Sequence, residues 1–177
     1  MFHLENEFLS IAVDSKGAEL KSVFHKNNGI EYMWGADPAH WAKTAPVLFP
    51  IVGALKDNAY TYKGLRYTLS RHGFAREKEF TLVDQQHSSL AFSLESDRDT
   101  LAVYPFSFSF SILYTLTDDE LEVTYRVYNA GDEALLFSVG GHPAFRVPLV
   151  VGTSYEDYSL VFERRKRFPG GLSAVTV

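Results

Sequence analysis

Phe106-Ser107-Phe108-Ser109-Phe110-Ser111-Ile112-Leu113-Tyr114-Thr115-Leu116-Thr117 decides the fold class. Large apolar side chains stand at every second position, and in an extended chain successive side chains point to opposite faces. The segment therefore reads as one long β-strand with a heavily aromatic buried face. Asp118-Asp119 supplies a polar turn, after which Leu121, Val123, Tyr125 and Val127 alternate with Glu122, Thr124, Arg126 and Tyr128. That second run is the antiparallel partner of the first. Asn129-Ala130-Gly131-Asp132 turns the chain again, into a third expected strand over 134–140 that completes a β-meander.

Working outward, the period of two recurs over 8–13, 19–24, 60–62, 66–69, 79–84 and 90–95, with Lys63-Gly64 as a tight hairpin turn. No stretch of ten residues or more repeats at 3.6, so no substantial helix is expected. Asp37-Pro38-Ala39-His40-Trp41 fits a single short turn of helix. Many short strands separated by turn signals imply an all-β sandwich or barrel. With no linker, repeat or low-complexity tract, residues 1–177 read as one domain. The final stretch, 167–177, reads as a loop entering another strand. A sheet that stops there leaves an unpaired edge, so a C-terminally incomplete chain is the expectation.

Composition narrows the function classes. At 177 residues, with 46% hydrophobic and 15% aromatic side chains, the chain can bury a substantial core. A net charge of −5 argues against a nucleic-acid partner, which calls for a basic stripe. Arg164-Arg165-Lys166-Arg167 is too short a run to change that and reads as a solvated strand end or loop. The absence of cysteine excludes disulfides, thiolate ligands and a thiol nucleophile. The N-terminus lacks the layout of a signal peptide, and no apolar run approaches the roughly 18 residues of a membrane helix. A soluble, cytoplasmic protein without a membrane partner is expected.

Two short segments carry the chemistry: Arg71-His72-Gly73-Phe74-Ala75-Arg76 and Gly140-Gly141-His142-Pro143-Ala144-Phe145. Each sets an imidazole beside glycine, and imidazole titrates near neutral pH, where proton transfer is useful. His72 follows a strand, Gly73 permits close backbone approach, and Phe74 offers an apolar wall or stacking face. A histidine merely hydrogen-bonded in a turn fits the same residues. At His142, permissive glycines precede and a stiff proline follows, which fixes an imidazole at a strand end; a structural turn is the alternative. His3, His25, His40 and His87 lie in ordinary polar contexts. Trp41, Phe49, Phe74, Tyr104 and Phe145 are aromatics near turns or motifs, able to stack on the C–H faces of sugars or to fill the core. No H-x-H, H-E-x-x-H or D-x-D-x-D-G spacing, phosphate loop or G-x-S-x-G elbow is present, so neither metal nor cofactor is expected.

Pro46-Val47-Leu48-Phe49-Pro50-Ile51-Val52-Gly53, Lys56-Asp57, Tyr60, Gly64, His72-Gly73-Phe74-Ala75-Arg76, Tyr104-Pro105-Phe106 and Gly140-Gly141-His142-Pro143-Ala144-Phe145, in this order and spacing, resemble the aldose 1-epimerase (galactose mutarotase-like) family, in its LacX-like bacterial branch. The resemblance runs from about residue 2 to about residue 165. It implies a β-supersandwich of mainly antiparallel strands and a cofactor-free isomerase that interconverts the α and β anomers of a free or phosphorylated aldose by acid–base ring opening. By motif, His142 matches the family's acid and His72 its second substrate-binding histidine, with Arg76 as a supporting group. Phe74 and Phe145 are further candidates for substrate contact. Many relatives carry arginine after the glycine matching Gly53; this chain has Ala54, so a ligand contact is missing there or moves to Lys56. The family's base is a glutamate far downstream, and Glu156 and Glu163 follow His142 too closely to serve. The chain thus resembles roughly the N-terminal three-fifths of a family member and is expected to be inactive alone. Two alternatives stand beside the enzyme: a non-catalytic carbohydrate-binding module that lacks the base, and a structural β-domain whose histidines only close turns.

Overall fold

A computed structural model describes residues 1–161; the basic run at 164–167, Glu163 and the expected strand entry at 167–177 lie outside the described residues. The chain begins with β1 (Phe2–Glu5), β2 (Leu9–Val13), β3 (Leu20–His25) and β4 (Ile30–Glu31), a four-stranded antiparallel sheet in sequence order. A two-residue β5 (Val47–Leu48) and the hairpin β6 (Ala59–Tyr62) and β7 (Leu65–Thr68) follow. Lys63 and Gly64, both at positive φ (49° and 78°), make the tight turn of that hairpin. A second four-stranded sheet contains β8 (Thr81–Gln85), β9 (Ser89–Glu95), β10 (Phe108–Thr117) and β11 (Glu120–Asn129), in the order β11-β10-β9-β8. Between β9 and β10 lies α1 (Arg98–Val103), and the short β12 (Gly140–Gly141) comes last.

The alternation along β10 does what its pattern predicts. Phe108, Phe110, Ile112, Tyr114 and Leu116 are buried, while the residues between them are more open. Thr117 pairs with Glu120 across Asp118-Asp119, and ten residue pairs zip β10 to β11. The inner face of this sheet shares one apolar cluster with Leu4, Leu9, Ile11, Val13 and Leu20 of the first sheet. Phe2 meets Phe92 edge-on at 5.3 Å, and the buried Tyr114 hydroxyl donates to the Ala18 carbonyl at 2.7 Å. The two sheets are therefore the layers of a sandwich.

Phe49, fully buried, is the hub that ties the site to this core. Its ring lies 4.6 Å from Phe110, 5.1 Å from Phe108, and 6.2 Å from both Phe74 and Tyr104. Such pairs each contribute roughly 0.5–1.5 kcal/mol beyond the buried area.

The expected third meander strand over 134–140 is corrected. Only Gly140–Gly141 is strand, and it pairs with Leu48 and Val47 of β5 rather than with β11. Leu135, Phe137 and Val139 do pack on the core, and the Ser138 N–H donates to the Pro50 carbonyl at 2.8 Å. Alternation sets Leu135, Phe137 and Val139 on one face, but it cannot say which neighbour supplies the hydrogen bonds. Asp37–Trp41 closes one turn, with the N–H groups of His40 and Trp41 both donating to the Asp37 carbonyl (3.0 and 2.8 Å). No helix among the described residues is long and apolar enough to cross a membrane.

Candidate functional site

Residues 46–53 form a spine from which both histidine motifs hang. The His142 N–H donates to the Pro46 carbonyl at 3.1 Å, and Gly140 and Gly141 pair with Leu48 and Val47. A few residues along, the Phe49 carbonyl accepts from the N–H groups of Phe74 and Ala75 (3.0 and 3.1 Å), and the Gly53 carbonyl accepts from that of His72 at 2.7 Å. The start of the spine is set by Glu19, only 6% exposed, whose carboxylate accepts from the N–H groups of Thr44 and Ala45 at 2.6 and 3.0 Å with Lys21 at 3.3 Å. Histidines far apart in sequence meet because they share one strip of backbone.

Close approach dictates the glycines. Gly73 has φ of 72°, and a Cβ there would lie 2.2 Å from the Phe49 oxygen. Only glycine satisfies both conditions. At Gly141 a Cβ would meet the Tyr125 hydroxyl at 2.7 Å, and burial pushes that phenol up to about 12.

The two imidazoles lie 6.4 Å apart between ring centroids, with planes at 74°. They line a cleft of about 220 Å³ together with Trp41, Pro46, Leu48, Arg71 and Arg76. Trp41 sits 5.1 Å from the His142 ring. No carboxylate belongs to this lining among the described residues. Arg76 donates through Nη2 to the Arg71 carbonyl at 2.9 Å, while its buried Nε has no hydrogen-bond partner among the described residues.

His72 is held in one tautomer. The Gly53 N–H donates to its Nδ1 at 3.0 Å, which requires an unprotonated Nδ1 and places the proton of the neutral ring on Nε2. Arg71 Nε lies 3.2 Å from that same Nε2. A neutral imidazole cannot accept at both nitrogens, so these two contacts are not hydrogen bonds at the same time. The backbone donor is fixed by the spine and the exposed Arg71 side chain is free to swing, so the Gly53 bond prevails. Desolvation, followed by the positive charges of Arg71, Arg76 and His142, holds the His72 pKa below its ordinary value. His72 is thereby set up as a neutral Nε2–H donor facing the cleft.

Of the residues singled out by sequence, the structure brings His72, Arg76 and His142 together. Lys56 is exposed at the start of a 3-10 turn (Lys56–Asn58) and lies outside the cleft lining. Phe74 turns toward Phe49, Tyr104 and Phe108, and Phe145 lines a larger, mainly apolar cavity of about 560 Å³ between the sheets, which His142 also borders. Sequence reading left Arg71 without a role and had no means of choosing Trp41 from the five aromatics near motifs. The signal for Arg71 was its position beside His72; for Trp41, none existed short of the loop geometry.

Comparison with known proteins gives the family and the fold. The family model of aldose 1-epimerase matches residues 1–168. The plasmid and chromosomal LacX proteins of Lactococcus lactis subsp. lactis are each 38% identical over 168 residues, covering 90% of this chain and 55% of the relative. The structure is similar to that of a galactose mutarotase related enzyme from Lactobacillus acidophilus, with a TM-score of 0.86 and 42% identity over 88% of this chain and 52% of that one. A galactose mutarotase-like protein from Lactobacillus casei gives 0.81 and 35% over 85% and 51%. The chain thus spans about half the length of the curated relatives it matches. The fold is all-β and galactose mutarotase-like, as the resemblance implies, and by the match over residues 1–168 the chain belongs to the aldose 1-epimerase family.

Proposed function

We propose that the His72–His142 cleft binds an aldose and forms the acid-bearing part of a mutarotase site. The observation that carries this reading is the convergence of the two imidazoles, at 6.4 Å, in one cleft of a family member. In this reading His142 gives a proton to the ring oxygen as the C1–O5 bond breaks. The C1 hydroxyl loses its proton to a base, and its electron pair becomes the carbonyl of the open aldehyde. Rotation about C1–C2 and the reverse steps deliver the other anomer. His72 donates from Nε2 to a sugar oxygen, which orients the ring without changing its own charge. The base is a carboxylate from the part of the relatives' length that this chain does not span.

The charge of the cleft favours a phosphorylated sugar over a free one. Arg71 and Arg76 bring two guanidinium groups beside the histidines, and guanidinium matches phosphate in bidentate geometry.

Polarimetry on a freshly dissolved single anomer tests the enzyme reading. In the full-length protein, His142→Ala should lower kcat by at least about 100-fold, the scale of a lost general acid, and His87→Ala should leave it unchanged. The second reading, a non-catalytic carbohydrate-binding module, is favoured by the absence of a carboxylate from the cleft lining among the described residues. Saturable sugar binding without faster anomer exchange in the protein would select it.

A further inference from the structure

We propose that Trp41 is the wall on which the sugar's C–H face rests, and that it holds the His142 imidazole in its working orientation; this rests on reading the cleft as a sugar site. Trp41 is half-buried and stands outside the core cluster that absorbs the aromatic residues around Phe49. Its ring neighbour is His142, 5.1 Å away at a 44° tilt.

That placement is built by backbone. The loop carrying Trp41 leaves at Trp34 and returns at Thr44, and both ends clasp Ala144, two residues beyond His142. The Trp34 N–H donates to the Ala144 carbonyl, and the Ala144 N–H donates to the Thr44 carbonyl, each at 2.9 Å. The Trp34 indole N–H then donates to the Trp41 carbonyl at 2.8 Å and closes the loop across its width. Trp41 and His142 are thus fixed to each other through a handful of bonds.

A sugar presents hydroxyls around its rim and C–H groups on its faces. The cleft offers donors in Arg71, His72 and Arg76, and among the described residues Trp41 supplies its indole face. An aromatic plane takes up a C–H face while the polar groups fix orientation, the division of labour expected of a small-molecule site. The indole packed against His142 also restricts rotation of the imidazole.

The test compares Trp41→Leu and Trp41→Phe with the wild-type sequence in the full-length protein, using D-galactose and D-galactose 6-phosphate as probes. Binding is read by saturation-transfer difference NMR and anomer exchange by line-shape kinetics. Trp41→Leu should weaken binding at least about tenfold, raise KM more than it lowers kcat, and abolish saturation transfer to the sugar's C–H protons; Trp41→Phe should stay within about threefold. If the wild type binds a probe and Trp41→Leu binds it equally well, the proposal is overturned while the sugar-site reading stands. If the wild type binds neither probe, both fall. Should Trp41→Leu fail to fold, the wild-type protein decides: magnetisation must pass from the assigned Trp41 indole protons to the sugar's C–H protons in intermolecular NOE spectra. No transfer to a bound sugar would overturn the proposal.

Discussion

His72 and His142 face each other across 6.4 Å because His72 is bonded to Gly53 and His142 to Pro46, the two ends of one spine. Their separation is set by that strip of backbone rather than by side-chain packing. Mutations along the spine's contacts should therefore disturb both imidazoles together.

Gly73→Ala is the sharpest such case. The new methyl would meet the Phe49 oxygen at 2.2 Å at a φ of 72°. Backbone strain and overpacking together should cost at least about 3 kcal/mol in urea unfolding. The conformational demand at Gly29 is similar, but a Cβ there meets nothing within 4 Å, so Gly29→Ala should cost no more than about 1–2 kcal/mol.

His72→Asn should separate folding from function. Asparagine tolerates the φ of 69° at this position, and its Oδ1 can accept from the Gly53 N–H. Stability at pH 7.5 should stay within about 1 kcal/mol of wild type, while sugar affinity falls.

The same variant should flatten one part of the pH dependence. The folded-state pKa of His72 is depressed, so its contribution to stability is complete above the unfolded value of about 6.5. As pH falls below that value, the unfolded chain takes up a proton that the folded chain refuses, and stability declines. Urea midpoints at pH 7.5 and 5.5 should differ more for wild type than for His72→Asn.

Arg76→Met should discriminate between substrates. If the guanidinium groups serve a phosphate, affinity for a hexose 6-phosphate should drop about tenfold or more, with the neutral hexose little affected; isothermal titration with both sugars measures this. Equal losses for the two would mean that Arg76 contacts the ring instead.

How much of this was legible beforehand depends on the physical signal available. β9, β10 and β11 and the β6–β7 hairpin were legible because each is long enough to show period two or has a turn with its own chemistry. β1, β4 and β5 were missed; β4 and β5 are two residues long, and their pairing is settled by distant partners. α1 is only six residues, too few for a 3.6 period. Its signature was the box at Asp97 and Thr100, where the Thr100 N–H donates to Asp97 Oδ1 at 2.7 Å and the Asp97 N–H to Thr100 Oγ1 at 2.8 Å. In the site, the glycines marked His72 and His142 because close packing and positive φ leave a trace in sequence. Arg71 left only its place beside His72, and Trp41 left no trace, since a loop's path follows from bonds such as that between Trp34 and Ala144. Phe74 was indistinguishable from a ligand-facing aromatic until Phe49 and Phe108 were seen around it.

A sugar seated in the His72–His142 cleft must perturb both imidazoles. The decisive experiment records the imidazole resonances of all six histidines in two-dimensional NMR while a hexose 6-phosphate is added. The His72 and His142 signals should move together along one saturation curve while those of the exposed His3 and His87 stay in place. Signals from a folded protein that do not move at His72 and His142, or that move only elsewhere, would contradict a sugar site there.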